Sequence, residues 1–168
     1  MKGEIINKVE KRNIINIDLT DYAPKQVIIE IDIKDFLFEG LILKEKNFRE
    51  ILENKEWNIY INKTVALFCS SDSIIPLWAY MLITGYLNER NIEICFGNQT
   101  DVFDNLFLEN IKKINTFEFE NNRVIVKGCG DIKIHEKIFM EITKKLQPIV
   151  KSLMFGEACS SVPVYKKK

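Results

Sequence analysis

The stretch TVALFCSSDSIIPLWAYMLITGYLNERNIEICFG, residues 64–97, decides the fold class. Residues 64–69 are apolar in unbroken succession, which is typical of a central strand covered on both faces. The next segment is almost free of charge and predicts a buried helix over 74–89, with Pro76 in its first turn, where proline is tolerated. Residues 92–97 predict a second strand. A strand, a helix and a strand in succession imply a right-handed crossover between parallel strands.

The same alternation continues toward the C-terminus. Residues 101–114 predict an amphipathic helix and residues 123–128 a further strand. An apolar stripe from Phe139 to Leu153 predicts a final helix, kinked at Pro148. We therefore expect the three central strands to be mutually parallel members of one sheet.

Two runs of alternating, β-branched residues precede this region, IINIDL at 14–19 and VIIEIDI at 27–33. The turn-rich spacer between them predicts a β-hairpin, and a short amphipathic helix follows over 46–55. The expected fold class is α/β, a mostly parallel sheet flanked by helices, with an N-terminal β-hairpin. No repeat, low-complexity tract or linker marks a boundary, so we expect a single α/β domain over 1–168.

Composition restricts the classes of function. The chain has 168 residues, and its 24 basic and 24 acidic side chains cancel, so no global field attracts nucleic acid or anionic lipid. Charges occupy the N-terminus where a signal peptide needs an apolar segment, and the longest uncharged run is shorter than the ~20 residues that span a bilayer. We expect a cytoplasmic protein with neither a nucleic-acid nor a membrane partner. Its four cysteines would be reduced there and available for metal or chemistry.

The cysteines fall at suggestive places. Cys69 and Cys129 lie at, or one residue beyond, the carboxyl ends of predicted parallel strands, the edge where open α/β sheets bind ligands. The tail after Gly156 leaves the final helix and runs extended, so Cys159 can reach the same edge. Cys95 lies inside a predicted strand and is interpreted as a small core residue.

Three converging thiolates predict a metal site. Cys69, Cys129 and Cys159 would suit zinc or an iron-sulfur cluster, because soft sulfur ligands favour both. Candidates for a fourth ligand are His135, Asp72, Asp131 and Glu157. The spacings match no local metal motif, so cysteines buried separately remain an alternative.

A thiol-dependent enzyme is a second hypothesis, with Cys69 or Cys129 as nucleophile and His135 as base. Lys127 precedes Cys129 closely enough to favour a thiolate. A phosphatase-type loop is excluded because position 75, where its arginine belongs, is isoleucine. A thioredoxin-like site is excluded because no CxxC spacing occurs. A third hypothesis is a non-catalytic homo-oligomer, which the dense apolar segment 36–43 favours.

Four segments carry a family resemblance: KDFLFEGLILKEKNFRE, CSSDSIIPLWAYML, VKGC and KSLMFGEACSSVPVYKKK. Together they resemble a bacterial family defined by a domain of unknown function, family 2480, over nearly the whole chain. The resemblance implies a stand-alone cytosolic protein. It also implies a link to iron-sulfur cluster assembly genes, and hence iron-sulfur assembly proteins as partners. The leading hypothesis is accordingly a metal- or iron-sulfur-binding accessory protein.

Overall fold

A computed structural model describes residues 14–128, 130, 132–157 and 159–168. The strands in these residues are β1 Ile14–Asp18, β2 Ile28–Asp32, β3 Thr64–Phe68, β4 Glu93–Phe96, β5 Arg123–Lys127, β6 Ser152–Glu157 and β7 Ser160–Lys166. The α-helices are α1 Glu45–Asn54, α2 Leu77–Asn88, α3 Gln99–Lys113 and α4 Glu136–Leu146.

The chain divides into two units, each with its own sheet. Unit 2 is the uninterrupted segment Lys25–Asn105, whose sheet has the order β2-β3-β4. Unit 1 combines the described part of Met1–Pro24 with that of Leu106–Lys168, and its sheet has the order β1-β5-β6-β7. Among the seven strands of the described residues, every pairing is parallel except that of β6 with β7. A mostly parallel α/β protein is therefore confirmed.

Three finer expectations are wrong. The N-terminal hairpin does not form, because β1 pairs with β5 whereas β2 pairs with β3. The three central strands do not share one sheet, since β3 and β4 lie in unit 2 and β5 in unit 1. The final helix ends at Leu146, before Pro148. Of the apolar residues expected to continue it, Ile149 lies in a turn and Leu153 in β6, which is parallel to β5.

Helices α1 and α2 each bury one side in the core of unit 2. Phe48 and Leu52, one turn apart on α1, are fully buried, as are Ile83 and Leu87 on α2. These spacings of four residues place each pair on one side of its helix. Within the described part of the chain, no helix combines the length and the apolar character needed to cross a bilayer.

The two units repeat one arrangement of elements. In unit 2, Thr64 of β3 pairs with Glu93 of β4, and in unit 1, Arg123 of β5 pairs with Ser152 of β6. Both members of the pair are displaced by the same 59 positions (123 − 64 and 152 − 93). The first strands also match, because Ile28 pairs with Thr64 just as Ile14 pairs with Arg123. Sequence reasoning missed this repeat.

The same displacement of 59 positions relates individual contacts. Thr84 of α2 donates to the Tyr80 carbonyl at 2.8 Å, and Thr143 of α4 donates to the Phe139 carbonyl at 2.7 Å. The rings meet equivalent partners, since Tyr80 packs edge-on against Phe96 and Phe139 packs edge-on against Phe155. Further identical pairs are Phe48 and Phe107, Asn62 and Asn121, Met81 and Met140, Leu87 and Leu146, and Gly97 and Gly156. Unit 1 thus repeats the arrangement of elements found in unit 2, and unit 2 is inserted into the sequence of unit 1.

Candidate functional site

An ion network lies at the carboxyl ends of the parallel strands of unit 1. The strands β1, β5 and β6 end at Asp18, Lys127 and Glu157. The Lys127 ammonium lies 3.1 Å from Asp18 Oδ2 and 3.9 Å from Glu157 Oε1. One cation therefore joins the ends of three neighbouring strands at the edge where parallel sheets bind ligands.

Hydrogen bonds fix the charge states in this network. The Thr20 hydroxyl donates to Asp18 Oδ1 at 2.7 Å and the Thr20 N–H donates at 3.0 Å. The hydroxyl bond is the largest influence on the pKa of Asp18 and, with Lys127, outweighs burial and holds that pKa below its usual value. The hydrogen bond to Asp18, followed by the charge of Glu157, raises the pKa of Lys127. Two carboxylates thus offset the Lys127 charge.

The remaining predicted site residues of unit 1 adjoin the same edge in sequence. Cys129 lies outside the described residues and follows the end of β5 by two positions. Cys159 is exposed and lies in the turn that joins β6 to β7. His135 immediately precedes α4, the helix after β5, as its N-cap residue. These positions belong to one unit and follow neighbouring strands.

Cys69 belongs to the sheet of the other unit. It directly follows β3, is half-buried and packs against the core of unit 2. Its thiol donates to the Ser71 carbonyl at 3.8 Å. Both observations favour the alternative that Cys69 is a small core residue at the end of a strand. Whether Cys69 meets Cys129 and Cys159 therefore stays a prediction.

Local hydrogen bonds organise the loop that follows Cys69. Asp32, at the end of β2, accepts from the Ser70 N–H at 3.0 Å and from the Lys34 N–H at 2.9 Å. Burial pushes the pKa of Asp32 upward, but the bonds from Ser70 and Lys34 outweigh it and leave that pKa lowered. Burial, with smaller effects from Cys69 and Asp32, raises the pKa of Tyr80. The loop is thus fixed to the end of the neighbouring strand.

The structure describes three of the four candidates for a fourth ligand, among them His135. Asp72 is exposed in the loop of unit 2, Asp131 lies outside the described residues, and Glu157 takes part in the Lys127 network. The described residues contain no group of three His, Cys, Asp or Glu side chains with metal-binding geometry. Because Cys129 is outside that set, the predicted site is not tested by this finding.

Unit 1 also has an open apolar pocket of about 300 Å³ between α4 and the sheet. Its lining is Val126, Phe139, Ile142, Thr143, Leu153, Met154, Phe155 and Val164. The Thr143 hydroxyl already donates to the helix backbone. The pocket therefore lacks the convergent polar groups by which a small-molecule site orients its ligand.

Sequence reasoning missed the Asp18–Lys127–Glu157 network. A signal was present, because the predicted strands IINIDL and VIIEIDI both have aspartate, a poor strand former, as their next-to-last residue. The sequence did not show that β1 pairs with β5, which places Asp18 beside Lys127, more than a hundred residues later.

Comparison with known proteins gives one result. No curated protein and no solved structure matches the chain. A family model described as a protein of unknown function, DUF2480, matches residues 3–167. Since this match spans nearly the whole sequence, the chain belongs to the DUF2480 family.

Proposed function

We propose that this protein binds a thiophilic metal, zinc or an iron-sulfur cluster, at the carboxyl edge of the unit 1 sheet. Cys129 and Cys159 supply thiolates and His135 an imidazole. The observation that carries the proposal is the pairing of β5 with β6 as adjacent parallel strands. Each of these strands is followed, two residues beyond its end, by a cysteine.

The spacing of β5 and β6 suits the binding of one ion by residues that follow both strands. Neighbouring strands run ~4.8 Å apart, so residues two positions beyond adjacent ends are within reach of one ion. Sulfur and imidazole ligands favour zinc or an iron-sulfur cluster over magnesium or calcium. Three protein ligands leave one coordination position open for water or for a donor from another molecule. An open position suits an accessory protein that exchanges metal or a cluster with iron-sulfur assembly proteins.

Cysteine substitutions test the proposal. Protein purified without oxygen or chelator should contain metal in a fixed ratio to protein, measured by elemental analysis and absorbance. Cys129→Ser and Cys159→Ser should each lower metal affinity by roughly 10-fold or more, since a thiolate ligand is lost. Cys69→Ser is the matched control in unit 2 and should retain metal.

The outcomes separate the hypotheses. Loss of metal from Cys69→Ser as well would favour the three-cysteine site expected from the sequence. Wild-type protein that stays metal-free after incubation with zinc, and after reconstitution with iron and sulfide, would contradict the proposal. The thiol-enzyme hypothesis has less support, because Asp18 and Glu157 offset the Lys127 charge on which it drew.

A further inference from the structure

Three aromatic rings of unit 2 converge on one ammonium group. The Lys55 Nζ atom lies 5.4 Å from the ring centroid of Phe36, 5.8 Å from that of Trp57 and 5.5 Å from that of Tyr60. All three distances are within the ~6 Å at which an aromatic face attracts a cation. We call Phe36, Trp57 and Tyr60 the aromatic cage. Its rings are buried and Lys55 is half-buried, so the ammonium lies where the cage would hold any cation.

Local structure fixes the rings of the aromatic cage. Trp57 and Tyr60 are three residues apart in one 3₁₀ helix, and side chains at this spacing lie on the same side. The Trp57 indole N–H donates to the Leu52 carbonyl at 2.9 Å. Phe36 packs edge-on against Phe48, with ring centroids 5.9 Å apart. Contacts other than those with Lys55 therefore hold the cage, which is preorganised for a cation.

The repeat shows that the fold does not require this arrangement. The residue of unit 1 equivalent to Lys55 is Ile114, and each donates its backbone N–H to the carbonyl three residues earlier, at 3.4 Å and 3.2 Å. Ile114 is buried, so an apolar side chain is sufficient to cover the core at this point. The position of Trp57 is taken by Thr116. The cation and the indole are therefore properties of unit 2.

A pocket with a carboxylate adjoins the aromatic cage. It is open, has a volume of about 520 Å³ and is lined by Phe36, Asn47, Glu50, Ile51, Asn54 and Lys55. Within the described residues, neither the Glu50 carboxylate nor the Lys55 ammonium takes part in an ion pair. A cation in this pocket would meet the Phe36 ring on one side and be attracted by Glu50. The lining thus suits a small organic cation.

We propose that the aromatic cage and this pocket form a binding site for a small organic ammonium ion, with Lys55 as its competing internal cation. The ammonium group of the ligand replaces that of Lys55 among the three rings, and the rest of the ligand lies in the pocket beside Glu50. This site belongs to unit 2 and goes beyond the metal site proposed for unit 1.

The chemistry of the aromatic cage selects the class of ligand. A primary ammonium such as that of Lys55 is strongly hydrated, and ring faces do not fully replace its water. A quaternary ammonium holds its water weakly and is the cation that aromatic cages bind in other proteins. The exchange returns the Lys55 ammonium to solvent, where it is best hydrated. The ligand is therefore a quaternary ammonium compound.

Choline tests the proposal on the full chain, beside its neutral analogue in which a carbon replaces the ammonium nitrogen. Heteronuclear NMR follows the indole N–H of Trp57, which Trp78→Phe assigns because the chain has two tryptophans. Choline should shift this resonance with a Kd of about 1–10 mM, and the neutral analogue should not. Sodium chloride at the same concentration controls for ionic strength.

Lysine substitutions test the role of the internal cation. Lys55→Ala should tighten choline binding roughly 10-fold, as expected when a competing state holds about nine tenths of the population. The Lys44 Nζ atom lies 3.1 Å from the centroid of a single ring, that of Phe38, so Lys44→Ala is the matched control and should leave the Kd unchanged. Circular dichroism shows whether each variant is folded, and the wild-type titration stands by itself if Lys55→Ala is not.

Three results would overturn the proposal. The first is a wild-type Trp57 resonance that choline does not shift at about 50 mM, well above the expected Kd. The second is equal binding of choline and its neutral analogue, which would show that the charge is not recognised. The third is an equal effect of the two lysine substitutions, which would show that Lys55 does not compete for the cage.

Discussion

Asp18 and Asp32 occupy equivalent positions, and the comparison shows what each unit adds to a shared local structure. Each aspartate ends a strand and caps a short 3₁₀ helix, accepting from Thr20 N–H and Lys34 N–H respectively. Asp18 then pairs with Lys127 of the neighbouring strand, whereas Asp32 accepts from the Ser70 N–H. The two aspartates therefore cap in the same way but differ in their second contact, which is an ion pair for Asp18 and a backbone hydrogen bond for Asp32.

The lowered pKa of Asp18 predicts acid sensitivity. Its folded-state pKa lies below the unfolded value of 3.8, so its stabilisation is present above pH 3.8 and is lost as pH falls through the folded pKa. Asp18→Asn keeps a capping oxygen but loses the charge that pairs with Lys127, so it should lower the free energy of unfolding near pH 7 by about 0.2–1 kcal/mol. Urea unfolding between pH 2 and pH 7 should show the two curves converging at the acid end. Asp21→Asn, an exposed neighbour, is the control and should behave as wild type.

Two glycines require backbone conformations that alanine adopts only with strain. Gly97 and Gly156 have φ angles of 124° and 117°. At Gly156 an added Cβ would lie 2.6 Å from the Ser160 carbonyl oxygen, which is fixed in β7, whereas at Gly97 it would meet the Asp101 side chain. Gly156→Ala should therefore destabilise by about 1–3 kcal/mol in urea unfolding. An unchanged midpoint for Gly156→Ala would contradict the backbone geometry.

At the scale of elements, sequence periodicity predicted the individual segments better than their partners. The strands β3, β4 and β5 and the helices α1, α2 and α3 lie close to their expected ranges. The apolar spacing of α4 continues through Ile149 to Leu153, but Ile149 lies in a turn and Leu153 in β6. Periodicity does not separate a buried strand from a buried helix segment. The ends of β3 and β5 near cysteines were predictable. Their division between two sheets depends on pairings over long sequence separations, which no local pattern contains.

The equivalence of α2 and α4 predicts matched core energetics. Ile83 and Ile142 occupy the same position in the two units and are fully buried. Ile83→Ala and Ile142→Ala should each cost about 2–5 kcal/mol, because each leaves a cavity beneath its helix. Met140→Ala, on the exposed side of α4, should stay within about 0.5 kcal/mol of wild type. Chemical unfolding measures all three, and a small effect at either isoleucine would contradict its place in the core.

At the scale of the whole molecule, the chain contains one architecture twice, with the second copy inserted into the first. The sequence hid this because the identical residues, such as Thr84 and Thr143, occur singly or in pairs between dissimilar neighbours. What persists is the strand register, the buried positions and the left-handed turn at Asn62 and Asn121, whose φ angles are 61° and 56°. These are properties of the backbone, which single-sequence reasoning does not detect.

The insertion predicts an order of folding. The β2–β3 pair joins residues 36 positions apart (64 − 28), and the β1–β5 pair joins residues 109 positions apart (123 − 14). Closing the longer loop costs about 1 kcal/mol more free energy, because more chain entropy is lost. Pulse-labelling hydrogen exchange during refolding should therefore find the β2 amides protected before those of β1. Simultaneous protection of both strands would contradict this order.

The distance between β1 and its partner has a consequence for synthesis on the ribosome. Strand β5 emerges from the ribosome about a hundred residues after β1, the strand it pairs with. At about 5–20 residues per second, β1 waits on the order of 5–20 s with its backbone unpaired. The isoleucines of β1 are accessible to chaperones and to other nascent chains during that interval, while unit 2 is completed from contiguous sequence. The yield of folded protein in the cell should therefore depend on translation speed and chaperone supply mainly through unit 1.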